Sequence, residues 1–201
     1  MINGISKINK DNINTKEYWN ERFVKKETNA GTSALESILE WLDNNFDFDS
    51  KFNVLDIGSG PCRPGSFLQH IKEKYSCNCF LLDISSEICD SWKDSGILSK
   101  CSFLPNIDFE DNMFNLILCS HVLEHVDDIE NSVLSIQRVL KPGGIAIINS
   151  PIGIGWGGEK EHVWVINENV DFNIGEIIDS FPGNQYNSLV QIYKKGEIYE
   201  R

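Results

Sequence analysis

No apolar run in the 201 residues nears the ~20 that a helix needs to cross a bilayer. The opening MINGISKINKDN also lacks the apolar stretch of an export signal. These two absences predict a cytoplasmic chain without membrane contact. Cations are scarce, 18 Lys and Arg against 30 Asp and Glu, for a formal net charge of −12. A protein that works on nucleic-acid phosphate is expected to carry a basic patch, so nucleic acid is an unlikely partner. The two basic doublets, Lys25 with Lys26 and Lys194 with Lys195, read as solvated faces. None of the six cysteines (Cys62, Cys77, Cys79, Cys89, Cys101, Cys119) falls in a C-x-x-C pair. Cys77-Asn-Cys79 cannot clamp a zinc alone, so all six read as reduced thiols packed in or beside strands. There are no repeats and no low-complexity linkers. With 41% apolar and 24% charged residues, one globular domain is the expectation.

The first dozen residues are polar, rich in Asn and Lys, and read as mobile. Thr15 can cap a short helix that sets Tyr18, Trp19 and Phe23 on one face. Ser33 with Glu36 makes a capping box, and Leu35, Ile38, Leu39, Leu42 and Phe46 then recur at helical spacing. From Asn53 short apolar runs alternate with helical patterns. Strands are predicted at 53–57, 79–83, 100–104, 114–119 and 144–149, and helices at 64–75, 86–94 and 129–140. Ser85 can cap the second of these helices and Gly96 can end it. Beyond residue 150 only 188–195 reads clearly as a strand. This alternation predicts an α/β fold, a single Rossmann-like, doubly wound domain with a mostly parallel sheet and helices on both faces. Ligands of such sheets bind at the carboxyl ends of the strands.

The stretch VLDIGSGPCRPG, residues 54–65, runs from a strand into a glycine-punctuated turn, a device that brings backbone close to a nucleotide-like ligand. The dinucleotide pattern G-x-G-x-x-G fails here, because Arg63 stands where the third glycine belongs. No G-K-[ST] follows, so a phosphate-binding P-loop is absent too. Asp56 is a carboxylate at the end of an otherwise apolar strand, a costly place for a charge without a partner. A cationic ligand, or a network holding one, would supply that partner. Asp83 ends the next strand 23 residues after Gly60, near the spacing at which an acid takes ribose hydroxyls. Capping the following helix is its competing role.

VLDIGSG, LLDIS, FEDNMFNLILCSHVLEHVDD and RVLKPGGIAIINSP, in that order and spacing, resemble the class I S-adenosylmethionine-dependent methyltransferases. The likeness is closest to the small-molecule methyltransferase domain 11 group and covers about 50–151, with KEYWNERF similar to the family's lead-in helix. It implies S-adenosyl-L-methionine as cofactor. Asp56, Gly58 and Gly60 would hold its methionine part, Asp83 its ribose, and Ile84 would lie beside the adenine. The acid that many members place near the adenine amine is missing from CSFLPNIDFED, where backbone groups of Phe103 and Leu104, or else Asn106, would substitute. Asn115 replaces the family's common Asp, and PCRP departs from the usual turn; Arg63 would meet a carboxylate or lie on the surface. The resemblance divides the chain into a lead-in cap, 1–48, and a core, 49–201, with the acceptor loop at 151–166.

Methyl transfer from a sulfonium is an in-line displacement, in which the protein chiefly aligns the nucleophile. A hydroxyl acceptor also benefits from a base, and the candidates are His121, His125 and His162, with Glu124. The resemblance sets Ser120 and His121 nearest the methyl group. Relatives with E-x-x-E-H at this place bind a divalent cation; here His121, Glu124, His125 and His162 offer the corresponding set. The metal-free site is the reading taken, with the metal as its alternative. Trp156, His162 and Trp164 would shape the acceptor pocket, closed over by Tyr18 and Trp19. The expected activity is methylation of a small molecule, at oxygen of a sugar-type or other polar metabolite. Its rivals are a silent cofactor-binding module serving a partner protein, an RNA or protein methyltransferase, and, disfavoured by Arg63 and Asp56, a nicotinamide oxidoreductase.

Overall fold

The computed structural model describes residues 2–8, 11–25, 33–153, 160–183 and 187–197. The chain begins with β1 (Asn3–Lys7) and α1 (Lys16–Val24), whose first turn is capped by the Thr15 hydroxyl accepting from the Tyr18 amide at 3.2 Å. Helix α2 (Ser33–Asn45) buries Ile38 and Leu42. The alternation then runs β2 (Asn53–Ile57), α3 (Phe67–Tyr75), β3 (Asn78–Asp83), α4 (Ser86–Ser91), β4 (Leu98–Cys101), β5 (Phe114–Ser120), α5 (Ile129–Val139) and β6 (Leu140–Pro151). It closes with β7 (Trp164–Asp171), β8 (Glu176–Gly183) and β9 (Ser188–Lys194).

Seven strands form one sheet in the order β4-β3-β2-β5-β6-β9-β8. All pairings from β4 to β6 are parallel, and β9 runs antiparallel to both β6 and β8. The central strands are apolar throughout because both of their faces are covered. Val54, Leu81, Leu116 and Ile147 face one core cluster with α2, α3 and α4; Leu55, Leu82, Ile117 and Ile148 face the other with α5. The period of two thus distributes side chains to helices on opposite faces. Burial of Ile129, Val133, Ile136 and Val139 gives α5 its place. Each such side chain contributes about 1.5–3 kcal/mol.

Several boundaries differ from the sequence expectation. Helix α3 starts at Phe67 because Gly65 adopts φ +79° and interrupts the predicted start at 64. Helix α4 stops at Ser91, and Gly96, φ +69°, belongs to the turn into β4 rather than to the helix end. Residues 3–7 are a strand, not a mobile lead: β1 pairs antiparallel with β7, and Ile2 and Ile5 pack on the core. Strand β8 escaped notice because it is a sheet edge whose first five residues are exposed, which removes the apolar signal. Lys195 is not a solvated cation. Its ammonium donates to the carbonyls of Gln137 and Leu140, both at 2.7 Å, closing the carboxyl end of α5. Lys26 lies outside the described residues.

Candidate active site

The carboxyl ends of β2, β3 and β5 open into a cavity of about 920 Å³, at the place a parallel sheet offers to ligands. Asp56, one residue before the end of β2, is buried with 4% exposure. Gly58 follows at φ +71°, where an added Cβ would lie 2.4 Å from Val122 Cγ2, so no side chain fits. Gly60, φ +69°, donates its amide toward Asp83 Oδ2 at 3.4 Å and accepts the Trp92 indole N–H at 2.9 Å. The Cys62 amide donates to Ser91 Oγ at 3.0 Å. The PCRP segment therefore straps the glycine turn to α4, and Arg63 within it lines the cavity.

Asp83 accepts the Ser85 amide at 2.9 Å, and Ser85 Oγ in turn caps α4 at the Ile88 amide, 3.3 Å away. Helix capping thus falls to Ser85 and leaves Asp83 facing the cavity. Burial pushes the Asp56 carboxyl up to about 7, against the Ser59 hydroxyl and with the help of Asp83. Burial likewise pushes Asp83 up to about 6, opposed by amides of Ser85, Gly60 and Ile84.

Next to β2, β5 ends at Ser120, whose hydroxyl accepts from Asn149 Nδ2 at 3.0 Å. His121 then adopts φ +54°, a left-handed conformation that costs a bulky residue about 1–2 kcal/mol. This turn aims its Nδ1 at Glu124 Oε1, 3.4 Å away, from the 3-10 turn Leu123–His125. Glu124 has 0% exposure, and neither carboxylate oxygen has a hydrogen bond among the described residues. Burial would lower His121, but the Glu124 carboxylate outweighs it and raises the imidazole above its ordinary value. Burial would raise Glu124, and His121 followed by His125 hold it low instead.

His125 Nδ1 lies 3.1 Å from the Glu161 carbonyl oxygen, which only accepts, so Nδ1 carries the proton. Its Nε2 then turns toward Glu124 Oε1 at 3.8 Å. The unprotonated ring nitrogen and the carboxylate are thus close enough to be ligands of one cation. Donor atoms of Glu124, His125 and His162 lie within 4.8 Å of one another, and His121 stands outside that group. The His162 ring is buried and meets the His125 ring edge-on at 5.1 Å. Burial lowers His162 from its ordinary value.

Twelve of the residues singled out from the sequence for cofactor or catalysis line this one cavity: Asp56, Gly58, Gly60, Asp83, Ile84, Phe103, Leu104, Ser120, His121, Glu124, His125 and His162. Asn106 does not; it is exposed, and its carbonyl accepts the Ser102 hydroxyl at 2.7 Å. Trp164 is also elsewhere, donating its indole N–H to the Val126 carbonyl at 2.7 Å as β7 begins. Trp156 lies outside the described residues. Of the aromatic pair on α1, Trp19 reaches the cavity and meets His125 edge-on at 5.3 Å. Tyr18 instead bonds the Glu161 carboxylate, as does Arg22.

Sequence reasoning missed Glu161 and the two asparagines that bind its neighbourhood. Asn12 Nδ2 donates to the His125 carbonyl at 3.2 Å and Asn14 Nδ2 to that of Glu161 at 2.7 Å. On its far side α1 is tied to α4, with Ser85 Oγ donating to Asn20 Oδ1 at 2.7 Å. These contacts span more than 60 residues of sequence, so no local pattern could have signalled them.

Known proteins agree with this architecture. A methyltransferase-domain family profile matches residues 55–148. A mitochondrial arginine-hydroxylase of Danio rerio is 33% identical over 99 residues, covering 47% of this chain and 29% of that protein. The ubiquinone biosynthesis O-methyltransferase of Rickettsia canadensis is 26% identical over 123 residues, 58% of this chain and 50% of that one. The chain thus spans half or less of the length of these curated relatives. Among solved structures, the Burkholderia thailandensis 1,6-didemethyltoxoflavin-N1-methyltransferase, with S-adenosylhomocysteine and its substrate bound, superposes with a TM-score of 0.69. Identity is 14%, and the overlap covers 96% of this chain and 95% of that one. Residues 55–148 thus match a methyltransferase-domain family, and the chain shares the fold of that N1-methyltransferase.

Proposed function

We propose that the chain binds S-adenosyl-L-methionine and moves its methyl group to an oxygen of a small polar acceptor. The observation that carries this reading is the pair of buried carboxylates, Asp56 and Asp83, lining the same cavity as the His121–Glu124 pair. A cofactor with an ammonium, a sulfonium and a ribose diol gives both acids the partners that the apolar strands withhold. Asp56 with the backbone of Gly58 and Gly60 would serve the methionine part, Asp83 the diol, Ile84 the adenine face, and Phe103 and Leu104 its edge. Ser120 and His121 would stand near the sulfonium. In the reaction the acceptor oxygen forms a bond to the methyl carbon, the C–S bond breaks with its electron pair passing to sulfur, and the hydroxyl proton passes to His121. In this division residues 1–48 act as the cap and 49–201 as the core, with the acceptor entering beside α1. The polar wall of Asn12, Asn14 and the histidines suits a hydroxylated metabolite, such as one of sugar type, better than an apolar one.

Calorimetry with S-adenosylhomocysteine tests the cofactor assignment. Asp83→Ala is expected to weaken binding by about 1.5–3 kcal/mol, the value of hydrogen bonds to a charged group. Undiminished affinity would take the ribose role from Asp83. The direction with pH follows from the raised acids. Below about 6–7 the unliganded carboxyls hold protons that a cationic ligand must displace. Affinity for S-adenosylmethionine is therefore expected to rise from pH 5 to pH 8, with protons released on binding.

A second reading is favoured by the unsatisfied Glu124 carboxylate and the orientation of His125. These two residues and His162 form a donor set that fits a divalent transition ion such as zinc. A bound ion would polarise the acceptor oxygen as a Lewis acid. Glu124, His125 and His162 would hold it, and the Glu161 carbonyl would keep the His125 ring in the ligating tautomer. Elemental analysis after dialysis is expected to find about one ion per chain in the wild type and none in His162→Ala. Metal-free wild-type protein with the stability of chelator-treated protein would end this reading.

A further inference from the structure

Cys89, on α4, and Cys101, the last residue of β4, approach each other directly behind the nucleoside side of the cavity. Strand pairing sets Cys101 beside Asp83. The Cys89 thiol donates to the Asp83 carbonyl at 3.7 Å and the Cys101 thiol to the next carbonyl, that of Ile84, at 3.5 Å. Two thiols on adjacent carbonyls lie within interaction range of one another. Cys89 is buried and Cys101 is exposed, so one partner of the pair is open to reagents.

We propose that Cys89 and Cys101 form a reversible disulfide that loosens nucleoside binding, with a low-molecular-weight disulfide as oxidant. The exposed Cys101 thiolate attacks one sulfur of the oxidant RS–SR, forming Cys101–S–SR and expelling RS⁻. Cys89 then attacks the Cys101 sulfur, closes the protein disulfide and expels a second RS⁻. The two thiol protons pass to the two released thiolates, so one oxidant is reduced to two RSH for each bond formed. Burial, then the neighbouring Cys101 and Asp83, push the Cys89 thiol up to about 12. The exposure of Cys101 and the burial of Cys89 order the two steps. Closing the bond draws the sulfurs to about 2.05 Å and removes both S–H donors from the carbonyls of Asp83 and Ile84. The segment that carries the ribose acid and the adenine contact thus moves with the bond.

The effect on affinity rests on the cofactor reading above, whereas bond formation does not. Treating the full chain with oxidised glutathione is expected to give, by intact mass without reductant, loss of two hydrogens and no adduct. Peptide mapping should join Cys89 to Cys101. Cys89→Ala should stop at a glutathione adduct on Cys101, and Cys101→Ser should stay unmodified at Cys89. Oxidised wild type should bind S-adenosylhomocysteine about tenfold more weakly and recover in dithiothreitol. A wild type that stops at the adduct, or a disulfide between other cysteines, overturns the proposal, as does a Cys89–Cys101 bond with unchanged affinity. Should the reduced chain itself fail to bind the nucleoside, the cofactor reading falls, and peptide mapping still decides the bond.

Discussion

Trp92→Ala is expected to destabilise the fold by about 3–5 kcal/mol, the cost of emptying the site of a fully buried aromatic. Trp92 has 0% exposure and sits immediately after α4, amid Leu68, Ile71 and Ile88 of the same core cluster. Its indole N–H also donates to the Gly60 carbonyl, so one side chain joins the core to the glycine turn. Urea unfolding followed by circular dichroism measures the loss, and a cost under about 1 kcal/mol would mean that the core refills the space. Trp92→Phe separates the two contributions. It keeps most of the ring volume but leaves the Gly60 carbonyl without its donor, a loss of about 1–3 kcal/mol that should show in S-adenosylhomocysteine affinity as well as in stability.

The second large effect belongs to the chemistry. His121→Ala should lower the rate of methyl transfer to a hydroxyl acceptor by about 10²–10⁴-fold, the usual contribution of a positioned base. Binding of S-adenosylhomocysteine should change little, because the cofactor is assigned to Asp56, Asp83 and the glycine turn rather than to this imidazole. The measurement is release of the demethylated cofactor with whichever alcohol or sugar gives turnover in an acceptor panel. A rate equal to that of wild type would remove His121 as base. Failure of the wild type with every acceptor would favour a silent binding module. The left-handed backbone at His121 supports the functional role, since a strained conformation persists where the surroundings impose it.

The inner parallel strands β2, β3, β5 and β6 were legible in the sequence because both of their faces are buried and each appears as an apolar run, whereas the edge strand β4, largely exposed, was expected at 100–104 and lies at Leu98–Cys101. The two buried acids of the cavity were legible for a related reason. Asp56 and Asp83 are charges at the ends of apolar strands, and their local contrast marks them without any knowledge of the fold. The contacts that hold α1 beside the cavity were not. Glu161 is bound by Tyr18 and Arg22 from more than a hundred positions away, and a glutamate in a polar stretch gives no sign of such partners. Strands β1 and β8 were hidden for the opposite reason to the core strands: each is largely exposed, so propensity and periodicity carried no burial signal. The role of PCRP became clear only from tertiary contacts, through Cys62 to Ser91 and Gly60 to Trp92.

The pairing of β1 with β7 sets Lys7 opposite Trp164. During synthesis the leading strand must therefore wait while the whole parallel sheet emerges from the ribosome, because its partner is among the last segments to be made. At about 5–20 residues per second that wait lasts some seconds, long enough for the central strands to collapse first. The residues that bracket α1 and carry Asn12 and Asn14 are then drawn into place by an already folded body. The part of the cavity lined by Asn12 and Asn14 is in this sense assembled late, since a nascent chain halted before residue 164 lacks the strand with which β1 pairs.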